Sequence, residues 1–168
     1  MEQENQKWNR LLAPLFEYPR ERLRIRDIAR RSKVPPTTAL RYLKQLQREG
    51  LLDKEYGVVE SNYARWRKAS YMINRLFESG LIDFLEERCK PGVIVLFGSV
   101  RKGEYEHESD IDLFVEASEQ KLNLSPFEKK LGHSIHLVIK QRLRELPQEL
   151  QLSIMNGIKL SGYLNYGT

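Results

Sequence analysis

The sequence predicts two joined domains, a mostly α-helical first part and an α/β second part whose mixed sheet is covered by helices. Three observations carry this expectation. Charge is split, with 16 Lys+Arg against 9 Asp+Glu in residues 1–70 and 12 against 14 in residues 71–168. Apolar residues recur at helical spacing through the first part. Strand-like apolar runs, VIVLF at 93–97 and SIHLVI at 134–139, occupy the second. Strands interspersed with helices at these lengths form a sheet layer with helices on it.

The elements follow in order. In NQKWNRLLAPLFE (5–17), Trp8, Leu11, Leu12, Leu15 and Phe16 lie on one helical face, and Pro14 is expected to disturb or shorten that helix. Residues 24–52 hold two apolar stripes, Ile25, Ile28 and Ala29, then Ala39, Leu43 and Leu46, separated by SKVPP. Pro36 suits the first turn of a helix, and Gly50 follows the second stripe as a stop. Two short helices with a tight turn between them are a helix-turn-helix layout. LLDKEYGVVESNY (51–63) reads as two short strands turning near Gly57. Residues 64–89 read as helix broken at Gly80, and Pro91-Gly92 marks the entry to the first long strand. A loop at 98–109, a strand at 110–115, helix or loop at 117–131, the strand at 134–139 and a helical C-terminal region at 141–164 complete the chain. The divisions expected are 1–65, a connecting pair of helices at 66–90, and 91–168.

The helix pair followed by a hairpin resembles the winged helix-turn-helix family of regulators. That resemblance implies DNA as a partner, with residues 36–48 entering the major groove. Thr37, Thr38, Arg41, Lys44 and Arg48 are the candidate DNA contacts, and their basic surroundings favour phosphate binding. It also implies a homodimer, because such regulators read paired half-sites.

The chemistry concentrates in FGSVRKGEYEHESDIDLFV (97–115). Strand side chains alternate faces, so Asp110 and Asp112 share one side. Two neighbouring carboxylates repel unless a cation, Lys or Arg compensates them. Mg²⁺ takes oxygen ligands and is held by one or two carboxylates plus substrate phosphates. Gly98 lets backbone approach a ligand closely. Ser99 and the adjacent N–H groups offer donors to phosphate oxygens, and Lys102 adds charge beside them.

Gly-Ser, ten residues, then Asp-x-Asp resembles the signature of the DNA polymerase β-like nucleotidyltransferase superfamily, and its minimal nucleotidyltransferases most closely. IMNGIKLSGYL (154–164) is also similar to the last helix of that group. The resemblance implies transfer of a nucleoside monophosphate from a nucleoside triphosphate, ATP foremost, to an acceptor hydroxyl. In that reading Asp110 and Asp112 are catalytic and hold Mg²⁺ or Mn²⁺. Gly98, Ser99, Lys102 and Ser109 serve the nucleotide, with Ser109 also able to brace the aspartate strand. The third carboxylate of the family falls on the 134–139 strand, where this chain has His136, a candidate metal ligand or general base. The rival reading is a DNA-binding regulator, or an antitoxin-like partner of a small helical toxin, with a weak or inactive nucleotidyltransferase domain.

Other classes are disfavoured. The longest wholly apolar stretch is VIVLF, against roughly 20 residues for a bilayer-spanning helix. The polar start MEQENQKWNR has no signal-peptide core. Cys89 is the single cysteine, so the expectation is a reduced, cytoplasmic protein without an intrachain disulfide. Glu106-His107-Glu108 is expected to be a solvated loop tip.

Overall fold

The computed structural model describes residues 2–19 and 21–164. The chain divides into two compact units, 1–71 and 72–168.

The first unit contains α1 (Glu2–Glu17), α2 (Ile25–Ser32), α3 (Pro36–Arg48) and the start of α4 (Asn62–Ser79), within which the division falls. α1 runs unbroken through Pro14, against the expectation that proline would shorten it. Pro14 is buried, as are Leu11 and Leu15. Apolar burial there offsets the one missing helical hydrogen bond. Lys33 adopts a left-handed conformation (φ 53°) at the end of α2, and its N–H returns to the Arg30 carbonyl at 3.2 Å. That reversal, followed by Pro35 and Pro36, sets the tight turn into α3. Ile28, Ala29, Ala39, Tyr42, Leu43 and Leu46 are all buried, with Leu11, Leu12, Leu15 and Phe16 of α1. Trp8 packs on Tyr42 with ring centroids 4.5 Å apart.

The hairpin at 51–63 is smaller than its sequence suggests. Only one antiparallel bridge forms, Leu52 to Val58. Asp53 Oδ1 accepts from the N–H groups of Glu55 and Gly57, both at 2.8 Å. The aspartate thus draws into its own turn amides that a longer ladder would have used.

In the second unit come α5 (Leu81–Cys89), β1 (Val93–Phe97), α6 (Gly98–Lys102), β2 (Ile111–Glu116), α7 (Ser125–Leu131), β3 (Ile135–Lys140), a 3-10 turn (Leu143–Glu145), α8 (Gln148–Met155) and β4 (Ile158–Gly162). The sheet order is β3-β2-β1-β4. β1 pairs antiparallel with β2 and β4, and β2 pairs parallel with β3. One face packs Val93, Val95, Phe97 and Phe114 with Leu143, Leu146 and Ile154. The opposite face carries Ile94, Leu96, Leu113 and Val115, also buried.

Two expectations need correction. The 98–109 loop opens with a short helix, α6, before it becomes irregular. The 154–164 segment is not the end of a helix, because α8 stops at Met155 and β4 begins at Ile158. Asn156-Gly157 ends the helix, and the residues beyond it pair along the open edge of β1, where sheet hydrogen bonds are available.

Candidate functional site

Sheet register assembles the site. β1 delivers Phe97 and Gly98 opposite Asp112, and β3 brings His136 beside Asp112 from the other side. Asp110 lies just before β2 and is exposed. A carboxylate can only accept, so His136 Nδ1 donates to Asp112 Oδ1, at 2.9 Å. Asp112 Oδ2 lies against Gly98, and a Cβ at that glycine would collide with it. Gly98 has φ +71°, a conformation that side chains other than glycine's resist. Both requirements single out glycine here. The Asp112 carboxylate therefore spans the space between the imidazole and the turn into α6.

Beside that turn a cleft of about 390 Å³ opens, lined by Gly98, Arg101 and Lys102 from α6 and by Leu152, Ser153 and Asn156 from α8 and its end. Arg101 and Lys102 give it positive charge, and among the described residues no carboxylate lines it. Ser99 is half-buried in the first turn of α6.

Ser109 occupies a different place. Its hydroxyl accepts the Glu106 N–H at 2.8 Å, and its N–H reaches the Glu106 carbonyl at 2.9 Å, so it braces the turn leading to Asp110. It does not line the cleft. His133, buried at the start of the β3 approach, donates from Nδ1 to the Ser109 carbonyl at 2.7 Å and packs edge-on against the buried ring of Tyr105. Sequence reading passed over His133, and over Leu152, Ser153 and Asn156. The Asn156-Gly157 stop was the only signal for the last group, and it was read as part of a helix.

Among the described residues no three of His, Cys, Asp and Glu are placed to hold a metal ion by themselves. Glu106, His107 and Glu108 therefore do not form such a cluster. Asp110 and Asp112 nonetheless fit a hard divalent cation of the Mg²⁺ kind. Such ions are held by one or two carboxylates, with substrate phosphates supplying further oxygens, and the Gly98 turn places Asp112 Oδ2 next to a cationic cleft.

In the first unit, α3 buries Ala39, Tyr42, Leu43 and Leu46. Thr37, Arg41, Lys44 and Arg48 follow one another at helical spacing on its exposed side, and Thr38 is half-buried. Arg41 lies over the Tyr42 ring at 5.0 Å. Lys44, Gln47 and Arg48 form one wall of an open cleft of about 590 Å³, with Leu52, Asp53 and Lys54 opposite. Gln47 Nε2 donates to the Asp53 carbonyl at 2.6 Å and ties the turn to the helix.

The fold and site define a two-part protein, a helix-turn-helix followed by an α/β domain with a cationic cleft at its Gly-Ser turn. Residues 78–160 match the family model of the nucleotidyltransferase domain, and residues 11–55 match that of the IclR helix-turn-helix domain. The chain therefore joins a DNA-binding helix-turn-helix domain to a nucleotidyltransferase domain. Domains of the latter kind use a nucleoside triphosphate and a divalent metal. Neither curated proteins nor solved structures give a match to the chain. Among the described residues, no helix is long and apolar enough to cross a membrane.

Proposed function

We propose that the second domain transfers a nucleoside monophosphate from a nucleoside triphosphate, with ATP the first to test, to an acceptor hydroxyl, and that the first domain binds DNA in the cytoplasm. The observation that carries the enzymatic half is the Asp112 carboxylate resting against Gly98 at the edge of a cleft walled by Arg101 and Lys102. Asp110 and Asp112 would hold Mg²⁺ or Mn²⁺. When bound, that ion neutralises charge on the reacting phosphate. Gly98, Ser99 and Lys102 hold the β- and γ-phosphates. The acceptor oxygen forms a bond to the α-phosphorus, the bond from that phosphorus to the bridging oxygen breaks, and pyrophosphate leaves. The hydroxyl proton passes to solvent or to a base. Ser109 and His133 keep the strand entry that presents Asp110 in place.

Metal-dependent pyrophosphate release, with binding of a labelled triphosphate, tests this half. Both are expected in the unaltered chain and lost in Asp110→Ala/Asp112→Ala. Absence of both from the unaltered chain sinks the proposal.

For the DNA-binding half, Thr37, Thr38, Arg41, Lys44 and Arg48 are the contacts. Arg41→Ala with Lys44→Ala should weaken DNA retention and flatten its salt dependence by roughly one unit of log–log slope per lost phosphate contact. An unchanged slope would place the interface elsewhere. A homodimer on paired half-sites fits this reading.

One observation favours a second reading. His136 stands where a third carboxylate is expected and engages Asp112 Oδ1. A DNA-binding regulator, or a partner of a second protein, whose nucleotidyltransferase domain binds nucleotide without turnover would show triphosphate binding but no pyrophosphate release.

A further inference from the structure

The cleft beside Gly98 has two unlike walls. The α6 wall contributes Arg101 and Lys102, which are donors only. The α8 wall contributes Leu152, Ser153 and Asn156, none of them charged. Leu152 is 52% exposed and offers the cleft an apolar surface. A volume of about 390 Å³ lies in the range of small-molecule sites, roughly 300–1,000 Å³. A nucleoside triphosphate has the matching asymmetry, a polyanionic tail and a flat, largely apolar base.

Asn156 adds a direction. Its Nδ2 donates to the Leu152 carbonyl at 2.8 Å, across the exposed end of α8. With Nδ2 engaged in that bond, the amide oxygen is the polar atom of the side chain left to meet a ligand. The residue is exposed, and an amide oxygen is a hydrogen-bond acceptor. An acceptor pairs with the exocyclic amino group of adenine or cytosine. At that same ring position, C6 of the purine or C4 of the pyrimidine, guanine and uracil carry a carbonyl oxygen with no hydrogen to share; the amino group of guanine lies elsewhere, at C2, so the discrimination is by position on the ring edge.

We propose that the α8 wall selects the nucleobase, with Leu152 as the apolar platform under the ring and the Asn156 side-chain oxygen accepting from the amino group of adenine or cytosine. The proposal rests on the nucleotide-binding reading above and adds to it which residues choose the base. Arg101 and Lys102 bind phosphate whatever base is attached, so they contribute affinity without selectivity.

Calorimetric titration of the full chain, with Mg²⁺ present, uses five ligands: ATP, CTP, GTP, UTP and inorganic tripolyphosphate. ATP, CTP or both should bind about ten-fold more tightly than GTP, UTP and tripolyphosphate, the scale of one well-placed contact. The ATP and CTP arms separate an amino-purine from an amino-pyrimidine site. Asn156→Ala should erase that preference. Leu152→Ser should weaken the preferred nucleotide several-fold and leave tripolyphosphate unchanged. Both residues are exposed, and thermal melts of the two variants confirm that the fold is retained. Tripolyphosphate binding as tightly as every nucleotide overturns the base-selecting wall while leaving the phosphate site standing. A preference that survives Asn156→Ala, or one for GTP or UTP, overturns it equally. If none of the five ligands binds, the nucleotide-binding reading falls and this inference falls with it.

Discussion

Replacing Gly98 by alanine tests the geometry on which the site depends. Two costs are expected. The first is conformational, because φ is +71° at Gly98 and a non-glycine residue there loses about 1 kcal/mol. The second is a collision, because the new Cβ would fall on the Asp112 carboxylate. Asp112 must then rotate away and release His136, adding about 1–2 kcal/mol for the lost bond and displaced side chain. Gly132 is the internal control. It has φ +75° in the same unit, and nothing within 4 Å would meet its Cβ. Gly132→Ala should therefore cost about 1 kcal/mol and Gly98→Ala about 2–3 kcal/mol. Amide hydrogen exchange of β1 and β2 reads the second unit directly. Tryptophan fluorescence does not, since Trp8 and Trp66 both lie in residues 1–71. Adding Asp112→Ala removes the collision, so the double variant should recover about 1 kcal/mol relative to additivity. Equal costs at Gly98 and Gly132, or strict additivity with Asp112→Ala, would refute the close contact. Triphosphate binding that persists unchanged in Gly98→Ala would separate the turn from the nucleotide site.

Three further outcomes are expected. His136→Asp places a carboxylate beside Asp112 and should raise Mg²⁺ affinity in the presence of triphosphate; calorimetry showing no change or a fall would mean that His136 does not mark the third ligand position. His133→Ala removes a buried ring and the donor to the Ser109 carbonyl, and should cost roughly 3 kcal/mol with faster exchange of the Ile111 amide, whereas protection equal to the unaltered chain would show the contact to be dispensable. Burial pushes the Cys89 thiol above its ordinary value, with Arg88 pulling the other way by less, so at neutral pH it should react with a thiol reagent more slowly than in the urea-unfolded chain and accelerate as pH rises through the thiol range; faster reaction in the folded state would contradict this effect of burial.

Much of the second domain was legible because its signals are local. VIVLF is bounded by Pro91-Gly92 and by Gly98, and it forms β1 with those limits. Gly80 divides α4 from α5 as its conformational freedom suggests. The Gly-Ser turn and the aspartate pair drew notice through their resemblance to the nucleotidyltransferase signature, and residues 78–160 match that family model. β4 was not legible, because the alternation of Ile158 and Leu160 with Lys159 and Ser161, though of strand period, is too short to decide by itself, and the vacant edge of β1 is what makes the segment a strand. Pro14 misled for a similar reason: its local penalty is real, but burial within α1 outweighs it. At the site, the two aspartates announced themselves, whereas the far wall of the cleft comes from α8, remote in the chain, and no local pattern in LQLSIMN marks it as facing Gly98.

The use of each Asp112 oxygen constrains how the site can work. Oδ1 is taken by His136 and Oδ2 lies against Gly98, while Asp110 stands exposed at the strand entry. Few oxygen donors are left for a cation, and among the described residues no third ligand closes a cage. A hard divalent ion takes about six oxygens, so, on the proposed reading, triphosphate oxygens and water would have to complete its shell. Ion and triphosphate then raise each other's affinity by the same factor, as linkage requires. A carboxylate in place of His136 would add a protein ligand and weaken that mutual dependence. On the proposed metal-dependent reading, histidine at that position would couple occupancy by the ion more tightly to the arrival of the nucleotide.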